Sequence, residues 1–147
     1  MLFRSMKDKT VRSLDLLARL KRLELLDKQR ALAEMQAKLQ GLNRQVKDIA
    51  ASRINEIETA RDDPTSRMEL QNYLEGLQKK EKALKREIFN LADFMIPVQE
   101  SVRDSFRDVK SLEITSQNLQ NQLNEEEAKR EQDFLDEISL QGQVREK

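Results

Sequence analysis

The residues able to do chemistry in this chain are of few kinds. Lys and Arg together number 27 and Asp and Glu together 27, whereas Cys and His are both absent. Without cysteine there is no thiolate nucleophile, no disulfide and no zinc-thiolate site; without histidine the commonest metal ligand and proton shuttle is missing. Acid-base work would fall to the carboxylates, many of which stand three or four residues apart, a spacing that puts them on one face of a helix. A catalytic pair also needs a cleft that desolvates it and shifts its pKa, and a solvated helix surface provides neither. Glycine-rich phosphate loops, nucleophile elbows and metal-ligand clusters are likewise absent from the sequence. The expectation is a protein that is not an enzyme and takes no cofactor and no metal.

The remaining chemistry is recognition, and charge narrows it. The formal net charge is +0, so no overall polybasic drive pulls the chain toward nucleic acid or anionic lipid. A basic stretch near the start lacks the interleaved aromatics of a nucleic-acid binder and faces an acidic neighbour, so nucleic acid is not an expected partner. No apolar run reaches the roughly 20 residues that span a bilayer, and the start lacks the apolar core of a signal peptide. A cytoplasmic location is the expectation. The leading "MLFRS" fits no later pattern and is given no structural role, Met6 being an alternative start.

The elements that must position these charges are helices. Aromatics make up 4% of the chain, with 3 glycines and 2 prolines, and the aliphatic residues line a seam without filling a globular core. An elongated all-α rod follows. In the first segment Val11, Leu14, Ala18, Lys21, Leu25, Lys28, Leu32, Met35, Leu39, Leu42, Val46 and Ile49 step alternately by three and four, a heptad seam with two lysines in it. Beyond Ile49 the apolar residues are Ile54 and Ile57, which predicts a stutter. The stretch "ARDDPTSRMEL" breaks the pattern: Asp63 is a candidate N-cap before Pro64, and Ser66 with Glu69 a candidate capping box. A second seam runs through Leu70, Leu74, Leu77, Glu81, Leu84, Ile88, Leu91, Met95, Val98, Val102, Ser105, Val109, Leu112, Ser116, Leu119 and Leu123. Gly142 is a candidate C′ residue. Pro97 removes a hydrogen bond to the carbonyl of Asp93 and is expected to bend the second helix as a static kink rather than a hinge.

The prediction is a single domain over 1–147: a long two-helix antiparallel coiled-coil hairpin with its second helix longer than its first. The helices cover about 8–61 and about 66–140, joined by a turn at about 62–65 and followed by a short tail. With the turn centred near Asp63, facing residues have numbers totalling roughly 127. Ala51 then faces Gly76, and Lys21 faces Ser105 and Phe106. The second helix overhangs past about Leu119 to Leu123 by roughly 20 residues, about 30 Å.

This overhang contains "KREQDFLDEISL", where Phe134, Leu135 and Ile138 have no intramolecular surface to bury them. Near the start of the first helix, Leu16, Leu20 and Leu23 form a second stripe about 200° from the seam. Arg12, Arg19, Lys21, Arg22, Lys28 and Arg30 make this region basic. Glu125, Glu126, Glu127, Glu131, Asp133, Asp136 and Glu137 make the overhang acidic. Apolar stripes with opposed charges describe an interface core and its rim. The leucine stripe serves either a dimer or bundle of hairpins or docking on another protein, and the overhang is either a frayed acidic tail or a covered surface.

Nearly the whole chain resembles the flagellar export protein family FliJ. The likeness lies in "RSLDLLARLKRLELLDKQRALAEMQAKL", in "ELQNYLEGLQ" and above all in "DVKSLEITSQNLQNQLNEEEAKREQDFLDEISL", with its R-E-Q-x-x-x-D-E pattern at Arg130, Glu131, Gln132, Asp136 and Glu137. The resemblance implies a non-enzymatic hairpin akin to the central stalk of rotary ATPases, acting in flagellar assembly and motility. Its implied partners are the hexameric export ATPase, the export gate protein FlhA and empty export chaperones, with attachment at the cytoplasmic face of the inner membrane only through those partners. By position, it implies an ATPase-facing surface of Leu16, Arg19, Leu20, Arg22, Glu131, Phe134, Asp136 and Glu137, and a gate-facing patch at Tyr73 and Leu77. Leu77 also belongs to the seam, and Pro97 has no counterpart in the family pattern. Two other readings are a self-associating coiled-coil scaffold and the equivalent stalk of a virulence secretion system.

Overall fold

In a computed structural model the chain is described over residues 2–61 and 67–146, with side chains over 5–61 and 67–144. It forms two helices, α1 (Leu2–Ala60) and α2 (Arg67–Glu146), and the described residues contain no strand. They pack against each other antiparallel, an all-α hairpin whose second helix is the longer. Asp63, Pro64 and Ser66, the predicted capping residues, lie outside the described residues.

The predicted seams are the buried faces. On α1 all twelve predicted positions, Val11 to Ile49, are buried or half-buried, and on α2 all sixteen from Leu70 to Leu123 are. A 3.5-residue repeat keeps one stripe facing the partner helix along its length, and removing that stripe from water drives the pairing. Lys21 and Lys28 fit because their aliphatic stems cover apolar surface while the ammonium groups reach solvent; the Lys21 Nζ donates to Glu24 Oε2 at 3.3 Å.

Four sequence expectations are corrected. The burial of Ile54 and Ile57 that a stutter would bring is absent: both stay exposed, and the next half-buried residues after Ile49 are Ser52 and Arg53. The Arg53 guanidinium donates to Glu81 Oε2 at 2.6 Å, so one charged seam residue answers another. The facing residues are also shifted. Lys7 meets Glu126, Asp15 meets Ser116, Arg22 meets Glu113 and Arg53 meets Glu81. Facing numbers therefore total about 133, roughly six more than predicted, or about 9 Å along the axis. Lys21 thus stands beyond Ser105 and Phe106, near the level of Glu113, and Ala51 lies close to the level of Glu81 instead of Gly76. Placing the midpoint at Asp63 with equal rise on both sides therefore gave the wrong register. Thirdly, α1 begins at Leu2, and MLFRS is not outside the structure from its second residue onward. Lastly, Gly142 lies inside α2, no described residue has a left-handed φ, and the helix runs to Glu146.

Pro97 sits on the exposed side of an uninterrupted α2. The hydrogen bond it deletes falls where the Asp93 carbonyl can meet water, which limits the cost.

The helices pair in two compact units. One comprises Met1–Leu25 with Asp104–Lys147, the other Leu26–Arg103. In the first, Val11, Ala18, Leu25, Val109 and Leu123 are buried together with Ser105 and Ser116. Small residues let the backbones approach there, and the Ser116 hydroxyl is satisfied by donating to Asp15 Oδ1 at 2.6 Å. In the second, Leu42, Ile49, Leu77 and Met95 are buried.

Candidate functional site

The unit built from Met1–Leu25 and Asp104–Lys147 holds two apolar surfaces that the hairpin does not cover. On α1, Leu16, Leu20 and Leu23 are 59%, 56% and 60% exposed. The seam consumes the opposite face through Val11, Ala18 and Leu25, and one partner helix covers one face only. Arg19 is exposed within the leucine stripe, and Lys9 and Arg12 extend the same face one to two turns earlier. Arg22 points elsewhere: its Nε donates to Glu113 Oε1 at 3.0 Å, so this predicted surface residue is engaged with α2.

The second surface is the end of α2. Leu123 is buried and Glu127 half-buried, whereas every position from Ala128 to Val144 is exposed. The overhang therefore begins later than predicted, because α1 starts earlier and the register is shifted. Phe134, Leu135 and Ile138 are 63%, 59% and 49% exposed. Glu131, Asp136 and Glu137 are exposed beside them, and Arg130, Asp133, Phe134, Asp136, Glu137 and Leu140 line a shallow groove. Within the helix, Gln132 Nε2 donates to Asp136 Oδ1 at 3.1 Å, an i,i+4 bond that supports a helix without tertiary contacts.

Cross-helix ion pairs set the electrostatics of this unit. The Lys7 ammonium reaches Glu126 Oε1 at 2.8 Å, and Arg22 reaches Glu113. The Arg22 guanidinium, with Lys110 nearby, holds the Glu113 carboxyl below its ordinary value, and the Lys7 ammonium does the same for Glu126. Their pairing could not be read from the sequence, because it depends on the register shift.

The predicted gate-facing pair is split. Tyr73 is 43% exposed, but Leu77 is 7% exposed and its side chain serves the seam; only Tyr73 is accessible. Also in Leu26–Arg103, Phe89, Phe94 and Ile96 are exposed around Pro97. The sequence reading passed over them because they obey no heptad; lying off the seam was the available signal.

Among the described residues no group of three or more acidic side chains is arranged to hold a metal ion, and no helix is long and apolar enough to cross a membrane. The class defined so far is an all-α helical hairpin with uncovered apolar and charged faces. Comparison with family models, curated proteins and solved structures found no match.

Proposed function

We propose that this protein is a non-enzymatic, stalk-like accessory subunit of the flagellar type III export apparatus, binding the hexameric export ATPase and coupling it to the export gate. The observation that carries the reading is the pair of uncovered apolar surfaces, Leu16, Leu20 and Leu23 on α1 and Phe134, Leu135 and Ile138 on α2, within one unit. A large apolar side chain gains about 1.5–3 kcal/mol on full burial, so a partner that covers both surfaces has a substantial driving force. The charges around them, cationic on α1 and anionic on α2, set its orientation. The likeness of the sequence to FliJ supplies the identity of the partner. Leu16, Arg19, Leu20, Glu131, Phe134, Asp136 and Glu137 form the ATPase-facing surface; Arg22 contributes by holding Glu113. Tyr73 marks the contact to the gate protein FlhA, and export chaperones are further partners. Location at the cytoplasmic face of the inner membrane then follows from these partners.

A truncation separates this reading from others. A chain ending at Glu127 keeps the whole paired seam and the Lys7–Glu126 ion pair. The full chain stimulates ATP hydrolysis by its cognate export ATPase and the shortened chain does not; equal behaviour of the two, or no binding by either, refutes the proposal.

The exposed leucine stripe also favours a second reading, a self-associating scaffold. Parallel, in-register pairing of two such stripes would set Lys9, Arg12 and Arg19 of each copy against the same cations of the other, and like charges brought together at an interface oppose that arrangement. This favours a different protein as the partner.

A further inference from the structure

The free end of α2 does not present its apolar residues at random. At 100° per residue, Phe134 stands about 20° and Ile138 about 60° from the line of Leu123, the last buried seam residue. The apolar face thus continues the seam line into the stretch of α2 in which every position is exposed. Measured from the same line, Glu131 lies on one side and Asp133 and Glu137 on the other, each within about 80°, with Arg130 as the one cation on that face. The paired part of the same unit shows what such a face accepts. There α1 lays apolar side chains along the seam and places Lys7 on Glu126 and Arg22 on Glu113, at 2.8 and 3.0 Å.

We propose that residues 128–144 dock a basic amphipathic α-helix of a partner protein, laid along the seam line beyond the start of α1, with its apolar stripe on Phe134 and Ile138 and its cations against Glu131, Asp133 and Glu137. Continuity with the α1–α2 interface dictates a helix, and charge complementarity dictates its sign. The inference rests on the reading that this end binds another protein, and it adds the chemistry of the element that does so. A second copy of this chain offers a basic leucine-bearing helix as well. That second occupant is separated from a partner protein by the sedimentation measurement below.

The test uses the full chain and a labelled synthetic helix of leucine heptads flanked by lysines, followed by fluorescence anisotropy. A peptide of the same composition with its leucines scattered around the helix is the control. The heptad peptide binds and the control does not. Phe134→Ala with Ile138→Ala, and separately Glu131→Gln with Asp133→Asn and Glu137→Gln, each weaken binding at least about ten-fold. Phe89→Ala with Phe94→Ala, exposed side chains of the other unit, changes it by less than about two-fold. All these side chains are exposed, so circular dichroism of the variants matches that of the parent chain. No binding, equal binding of the control, or indifference to Phe134 and Ile138 overturns the proposal. So does a dimer in sedimentation equilibrium that the Phe134 and Ile138 substitutions dissolve. No ATPase enters this assay, so failure of the export reading leaves its result untouched, and failure here leaves that reading to its own test.

Discussion

Arg53 and Glu81 occupy positions where a coiled coil ordinarily places aliphatic side chains, and each is there because the other is. Arg53 reaches Glu81 at 2.6 Å while Lys85 Nζ meets the second carboxylate oxygen at 2.9 Å. The bond from Lys85 and then that from Arg53 hold the Glu81 carboxyl below its ordinary value. Polar seam residues of this kind fix register at some expense of stability. Arg53→Leu or Glu81→Leu alone should lower the melting temperature, and the double substitution should restore or raise it, as thermal circular dichroism will report. At the apolar positions the contrast is between seam and free end. Leu123→Ala removes a buried side chain and should cost about 2–4 kcal/mol. Phe134→Ala removes an exposed one and should leave unfolding within about 0.5 kcal/mol of the parent. Chemical denaturation of both variants measures the difference.

At the scale of the element, the two helices and their inward faces were legible because one physical rule, burial every 3.5 residues, acts locally and repeats. Every predicted seam residue from Val11 to Ile49 and from Leu70 to Leu123 is at least half-buried. The register was not legible. It is set by pairings between residues far apart in the chain, which no local pattern encodes, and an error of about six residues displaced every predicted facing pair. Ile54 and Ile57 misled for a related reason: apolarity argued for burial, yet the neighbouring Arg53 gains an ion pair by holding the seam position. Gly142 shows the limit of cap signals, since a helix already paired through Leu123 continues past a single glycine. The cross-helix pairs carry a pH dependence. Glu81, Glu113 and Glu126 all have carboxyl pKa values depressed below the ordinary 4.5. A depressed pKa contributes stability that is complete above the unfolded value and is lost as pH falls through the folded one. Melting temperature should therefore decline on acidification below about 4.5, and less steeply in Glu81→Gln with Glu113→Gln and Glu126→Gln. A pH series of thermal melts on the two chains decides this.

At the scale of the whole molecule, 27 cations balance 27 anions, but the balance is local as well as global: the cationic leucine face and the anionic end of α2 belong to one unit. The exposure of Leu16, Leu20, Phe134 and Glu137 was legible in the sequence, because the first two lie off the seam and the last two beyond its paired length. Leu77 is withdrawn from any surface by the seam, and the exposed Arg22 is held on Glu113, a pairing that only the fold creates. On the proposal of a partner-binding subunit the isolated chain should sediment as a monomer at micromolar concentration, and a defined multimer would favour the scaffold reading. The central claim is that one partner, the export ATPase, covers both free surfaces of this unit. Hydrogen exchange of the full chain with and without that ATPase tests it most directly. The account predicts slowed exchange over residues 128–144 together with the helical turns around Leu16 and Leu20; unchanged exchange at both places, under conditions where the two proteins are bound, would contradict it.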